Sequence, residues 1–308
     1  MVTKEEQSIP GALNVALLIG VATSLCALLW LASHGSTWQI VLAVVAFSFL
    51  NNTMFSLLHE SVHGIAHRDR RINDLMGCFA AAFFPTGFTL QRVFHLGHHA
   101  NNRTEEEQFD YIRPSDRPLL KRAQWYAILT GLYWVFVPLG AATYFIAPGL
   151  FTSRLLRSRN SPVAVQTGSA SMFSGLARAS RTRVRTEILF TIFVQLSMFF
   201  LLHLHFSGWL LCYAAFGFNW SSLQYTDHAF SPLDVHEGAW NLRVNPLTRL
   251  VFLNYHHHRA HHQSPQVPWI HLGALVDRAA ERPSFWMIYR AMWRGPRPIS
   301  EARRVIGG

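Results

Sequence analysis

Two uninterrupted apolar runs open the chain. Residues 12–33 contain no Asp, Glu, Lys or Arg, and neither do residues 38–58. Each matches the ~20 apolar residues that cross a hydrocarbon core. The link between them, Ser33-His34-Gly35-Ser36-Thr37, is short and polar, so the pattern predicts a transmembrane hairpin. Residues 187–223 form a second long apolar block, broken near His205-Phe206-Ser207-Gly208. It predicts another hairpin, with spans at 187–206 and 207–223. A third apolar stretch, 125–151, carries Pro138, Gly140 and Pro148. The N-terminus, MVTKEEQSIPG, lacks the basic start and small-residue cleavage site of a signal peptide, so the first span is expected to be retained.

Charge decides how the third stretch is read. Residues 152–186 hold Arg154, Arg157, Arg159, Arg178, Arg181, Arg183 and Arg185 and no acid. Basic loops stay cytoplasmic, and the charged region 64–124 belongs on the same side. Residues 125–151 must then enter and leave on one face, as a re-entrant or interfacial pair of short helices. The expectation is one all-α integral membrane domain over 1–308. It has about four spans, both termini in the cytoplasm and a cytoplasmic histidine-rich cap at 59–99 and 224–262. The Ser-, Gly- and Ala-rich run 158–180 reads as a mobile loop.

Composition agrees with a bilayer. Only 14% of residues are charged, against 50% hydrophobic and 13% aromatic, where soluble domains carry about a quarter charged. Disorder is excluded. Three cysteines, Cys26, Cys78 and Cys212, each in an apolar setting, exclude a disulfide scaffold. The net charge of +10 suits anionic headgroups or an acidic redox partner, and no nucleic-acid module competes.

Most of the 17 histidines fall in three clusters: His59-Glu60-Ser61-Val62-His63, His95-Leu96-Gly97-His98-His99, and His256-His257-His258-Arg259-Ala260-His261-His262. Spacings of i, i+3 and i+4 put imidazoles on one side of a helix. Packed so closely, protonated histidines would repel unless a metal held them neutral. His228 sits where the last span leaves the bilayer, as His59 does at the end of 38–58. Counting His59, His63, His95, His98, His99, His228, His258, His261 and His262 gives nine imidazoles, which suits two metals with four or five ligands each. His257 with His261 and His262 is an equally feasible triad. Gln224, one turn before His228, can approach a metal directly or through water. Glu60, Asp110 and Asp227 are candidates to hold the far nitrogens of the imidazoles. His67 is a spare near the first box, and His203, His205, His236 and His271 read as structural or surface residues.

HxxxH, HxxHH and HxxHH with a further histidine before the last box resembles the membrane-bound fatty acid desaturase and hydroxylase superfamily, over roughly 40–275. The resemblance implies a non-haem di-iron site (two Fe ions), O2 as oxidant and an acyl or alkyl chain held in a tunnel. It implies two electrons from a separate donor of ferredoxin, rubredoxin or cytochrome b5 type. Family spacing favours His258 over His257, and Gln224 takes the place where an Asn commonly stands. The stretch from His95 to Phe109-Asp110-Tyr111 resembles bacterial acyl-chain enzymes, which places the protein in a bacterial inner membrane. The substrate class is a fatty acid, acyl thioester or lipid. Desaturation is the expected outcome, with hydroxylation or decarboxylation to a terminal alkene as alternatives.

Rivals explain less. His59-Glu60-Ser61-Val62-His63 is also HExxH, the zinc protease signature. Its nearest third ligand, Asp234 in Pro232-Leu233-Asp234, lacks the usual Gly, and seven of the nine histidines are left over. A carboxylate di-iron bundle needs a second Glu-x-x-His pair, which is absent. A metal transporter needs ionisable residues within its spans.

Overall fold

The computed structural model describes residues 8–158, 161, 169–277 and 279–302. The helices are α1 (Gly11–His34), α2 (Thr37–His63), α3 (Arg70–Phe83), α4 (Phe88–Asn101), α5 (Pro118–Leu129), α6 (Leu132–Ile146), α7 (Pro148–Phe151) and α8 (Arg154–Arg157). They continue as α9 (Ser169–Phe173), α10 (Arg181–Leu201), α11 (Phe206–Thr226), α12 (Pro246–Val251), α13 (His258–Gln263) and α14 (Phe285–Met292). Two short parallel strands, β1 (Tyr111–Ile112) and β2 (Arg297–Pro298), pair Tyr111 with Arg297 and tie the C-terminal segment to the loop after α4.

Three helices, α1, α2 and α10, are long and apolar enough to cross a membrane. At a rise of about 1.5 Å per residue, their 24, 27 and 21 residues all reach across a hydrocarbon core of about 30 Å. Their outward faces expose Ile19, Trp30, Trp38, Leu42, Phe193 and Phe200, which lipid would cover. α11 equals α10 in length, but Asn219, Ser221, Ser222 and Gln224 make its last turns polar.

The second hairpin differs in register from the expected 187–206 and 207–223. Ser180 caps α10 by accepting the Arg183 N–H, so the helix starts inside the arginine run. Arg181, Arg183 and Arg185 are therefore helical and not part of a loop. The turn falls at 202–205, with His203 in the left-handed region. α2 runs on past residue 58 to His63, so the first histidine box is the last turn of a span. Gly64 stops it there, at φ 77, a conformation in which an L side chain is strained.

The stretch with internal prolines forms α5 and α6, bent by 90° at their junction. Gly131 makes that corner at φ 80, and a Cβ there would lie 2.5 Å from the Phe218 backbone nitrogen. The bend is thus wedged directly against α11.

Of the run expected as a mobile loop, 159–160 and 162–168 lie outside the described residues. Residues 169–178 are ordered as α9 and a 3-10 turn, which corrects that part of the expectation. Phe173 packs on Phe94 of α4 with centroids 5.5 Å apart, and Leu176 is buried beside Leu90 and Val184. Burial of these apolar side chains offsets the low helix propensity of the surrounding glycines and serines.

One apolar core lies between α1, α2, α3 and α11, around Leu25, Phe47, Leu57, Phe84 and Phe216. A second, around Tyr111, Trp125, Phe230, Trp240 and Met292, fixes the segment after α11. The histidine clusters sit where the two meet.

Candidate metal centre

Helix ends supply the imidazoles. His59 and His63 share the last turn of α2. His95, His98 and His99 ride on α4, His228 follows α11, and His258, His261 and His262 lie on α13. The nine gather into two groups. His59, His63, His95, His99 and His261 form one, and His98, His228, His258 and His262 form the other; within each, one nitrogen per ring lies within 4.8 Å of all the rest.

The division follows from helix geometry. On α4, the i and i+4 residues His95 and His99 turn to the first group, and the i+3 residue His98 turns to the second. On α13, His258 and His262 turn to the second group and His261 to the first. Positions i+3 and i+4 differ by about 100° around a helix, so each short helix serves both groups. The groups touch where His99 and His262 stack at 4.2 Å.

The nitrogen spacing can be tested against a cation. His95 Nε2 lies 2.9 Å from His63 Nε2 and 3.0 Å from His99 Nε2, and His99 Nε2 lies 3.1 Å from His261 Nε2. In the other group, His98–His228 and His262–His258 stand at 3.2 and 3.3 Å. One neutral imidazole nitrogen carries one proton or one lone pair, so His95 and His99 cannot each satisfy two partners by hydrogen bonding. Two nitrogens bound about 2.1 Å from one ion at right angles lie about 3.0 Å apart. The buried His59 Nε2 has no hydrogen-bond partner. Burial pushes His95, His99, His228, His258, His261 and His262 below the usual imidazole range, and neighbouring imidazoles add to the shift. Those six rings are therefore neutral, with lone pairs ready for a metal. An all-imidazole donor set suits Fe, Zn, Cu or Ni, so these residues fit a pair of metal ions.

Some supports were not legible beforehand. Glu107 lies 2.7 Å from His98 Nδ1, and His228 Nδ1 donates to Gly238 O at 2.9 Å. Each contact turns the ring's Nε2 inward. The Tyr255 ring meets His59 edge-on at 5.1 Å and His258 tilted at 4.8 Å, one residue of each group. Its hydroxyl donates to Gln224 Oε1 at 2.7 Å, so that oxygen is already engaged. Glu107 had a sequence signal, as one of three consecutive acids after the second box; Tyr255 and Gly238 had none.

The three expected carboxylate supports behave differently. Glu60 Oε1 stands 4.0 Å from His59 Nδ1, beyond a hydrogen bond, while Oε2 accepts the Trp269 N–H at 3.1 Å. Asp110 is corrected as a support. Its carboxylate pairs with both terminal nitrogens of buried Arg103 at 2.8 Å and accepts the Phe230 N–H at 2.7 Å and the Tyr225 hydroxyl at 3.2 Å. Those contacts leave it turned from the rings, holding the chain on either side of His228. Burial pushes the Asp227 carboxyl well up, toward its neutral form, and it makes no hydrogen bond to an imidazole. Its backbone oxygen accepts the Trp240 N–H at 2.7 Å. His67, His203, His205, His236, His256, His257 and His271 belong to neither group. Asp234 accepts two backbone N–H groups in its own loop, at His236 and Glu237. The HExxH pair is joined by three further histidines, His95, His99 and His261.

Helices long enough to span a membrane, gathered over two imidazole-rich groups, define a membrane protein with a histidine metal centre. Residues 36–293 match the fatty acid desaturase family, and the chain belongs to that family of oxidoreductases. It is also similar to a sphingolipid delta(4)-desaturase DES1-like protein of Arabidopsis thaliana, 28% identical over 131 residues. That match covers 41% of this chain and 36% of the plant protein.

Proposed function

We propose that this protein carries out O2-dependent oxidation of an unactivated C–H bond in a fatty acyl chain, with desaturation as the outcome. The observation that carries the reading is the convergence of nine imidazoles, six of them buried, into two adjoining groups in a chain with membrane-length helices. His59, His63, His95, His99 and His261 would hold one iron, and His98, His228, His258 and His262 the other. Bound there, the iron pair supplies O2 activation and hydrogen removal from a methylene, which no side-chain acid or base can perform. The chain's own part is positioning. Glu107 and Gly238 fix ring tautomers, and Tyr255 spans the two groups.

The reaction balances as –CH2–CH2– + O2 + 2 e− + 2 H+ → –CH=CH– + 2 H2O. The two electrons come from a separate ferredoxin-, rubredoxin- or cytochrome b5-type donor. We place the histidines on the cytoplasmic side of a bacterial inner membrane, with four spans and α5–α6 re-entrant. The docking of 169–178 on α4 supports this, since it puts the arginine-rich segment on the histidine side.

The test is to feed saturated fatty acids of graded length to expressing cells under oxygen-18 gas. An unlabelled internal alkene is expected. A labelled alcohol would make the enzyme a hydroxylase, and a chain one carbon shorter with CO2 released would make it a decarboxylase. No oxygen-dependent product would contradict the proposal.

A further inference from the structure

A groove of about 540 Å³ lies between α14 and the segment that follows His228. Arg290, Arg294 and Arg297 line it, with Phe230, Trp240 and Trp286 among its apolar walls, and Glu281 is the one acid among the lining residues. Arg297 is preset: its backbone N–H donates to Asp110 O at 2.8 Å, and its guanidinium lies 3.9 Å from the Phe230 ring centroid. The floor is coupled to the histidine centre. The Trp240 backbone N–H donates to Asp227 O at 2.7 Å, and its indole N–H donates to Ala229 O at 2.9 Å. Two residues earlier in the same strand of chain, Gly238 O takes the His228 Nδ1–H.

We infer that this groove docks an acidic one-electron carrier protein, and that electrons reach the His98, His228, His258 and His262 group by way of Trp240 and His228. The inference rests on the proposed oxidation, which draws two electrons from outside for each O2 reduced to two waters. The other two leave the substrate's C–H bonds, so the carrier must dock and reduce twice per turnover, one electron each time. Arginine and tryptophan are the residues enriched in the cores of protein interfaces. Carrier encounters are small and driven by charge. Anionic lipid asks only for basic side chains beside a membrane. It gives no reason for a concave groove with Trp240 hydrogen-bonded to the two residues that flank His228.

The test uses purified full-length protein in neutral nanodiscs and a soluble plant-type ferredoxin as probe. Binding is read by surface plasmon resonance, and turnover is read with ferredoxin or with dithionite as reductant. The wild type should bind ferredoxin at low salt and lose it as salt rises. The Arg290→Glu/Arg294→Glu variant should bind about tenfold more weakly or worse. Arg290→Gln/Arg294→Gln should fall between, and both variants should keep metal content and dithionite-supported turnover. Unchanged ferredoxin affinity in folded, metal-loaded variants would overturn the docking site. So would unchanged ferredoxin binding alongside weakened binding of the detergent-purified variants to anionic phosphatidylglycerol vesicles, which would make the groove a lipid contact. Failure of dithionite turnover in the wild type would count against the proposed oxidation, while the binding arms would still decide the docking site.

Discussion

At the scale of single residues, the centre depends on which nitrogen of each ring faces inward. Glu107 makes that choice for His98 through a 2.7 Å contact. Glu107→Gln should therefore weaken metal binding about 10- to 100-fold, measured by chelator competition. Unchanged affinity would remove Glu107 from the account. His99 meets two other imidazoles and stacks on a third, so His99→Ala should strip metal from the first group. His67 lies outside both groups, and His67→Ala should retain full metal content by elemental analysis. A matching loss in the two variants would mean the first box is misassigned. Burial also pushes His256 down to about 3 and His257 to about 4, while an unfolded histidine titrates near 6.5. As pH falls below about 6.5 the unfolded chain takes protons that the folded chain refuses, so stability present above that pH is lost toward about 4. Metal-free protein should melt at a lower temperature at about pH 5 than at about pH 7.5. An equal or higher melting temperature at the acid end would contradict this. The histidines of the three boxes stood out in the sequence because their spacing is local, whereas His228 was singled out by its place at the end of a span and His258 by family spacing. Tyr255 and Gly238 were not legible there, because each acts across a contact that only folding creates, and the three acids ending at Glu107 marked a region without saying which one meets His98.

At the scale of elements, the length of the apolar runs carried the reading, and caps and corners marked its limits. The apolar runs at 12–33, 38–58 and 187–223 overlap α1, α2, α10 and α11, with shifted ends. The start of α10 was missed by six residues because Ser180 caps it inside a run of arginines. The 90° corner at Gly131 depends on close approach to α11, and the order in 169–178 depends on apolar contacts with α4; neither is encoded locally. The same docking bears on topology. Phe173 packs against Phe94, and Arg183 of α10 pairs with Asp74 of α3 at 2.8 Å, so residues 169–178 lie on α4, the helix that carries His95, His98 and His99. In a cysteine-free background, Ser169→Cys should be labelled only after the cytoplasmic side is opened to an impermeant reagent. Labelling from outside intact cells would mean that α5–α6 crosses the bilayer.

At the scale of the whole molecule, the apolar exterior of α1, α2 and α10 places the protein in lipid. The cores beneath bring distant helix ends to one place, each supplying a few imidazoles. The family match over 36–293 agrees with that architecture. The central claim is that the nine histidines hold two metal ions, in sets of five and four. Anaerobic reconstitution with ferrous iron, followed by metal analysis against protein concentration, tests it most directly. The wild type should carry two irons per chain and His228→Ala one, since His228 serves only the second group. A fully loaded wild type holding a single metal per chain would contradict the account.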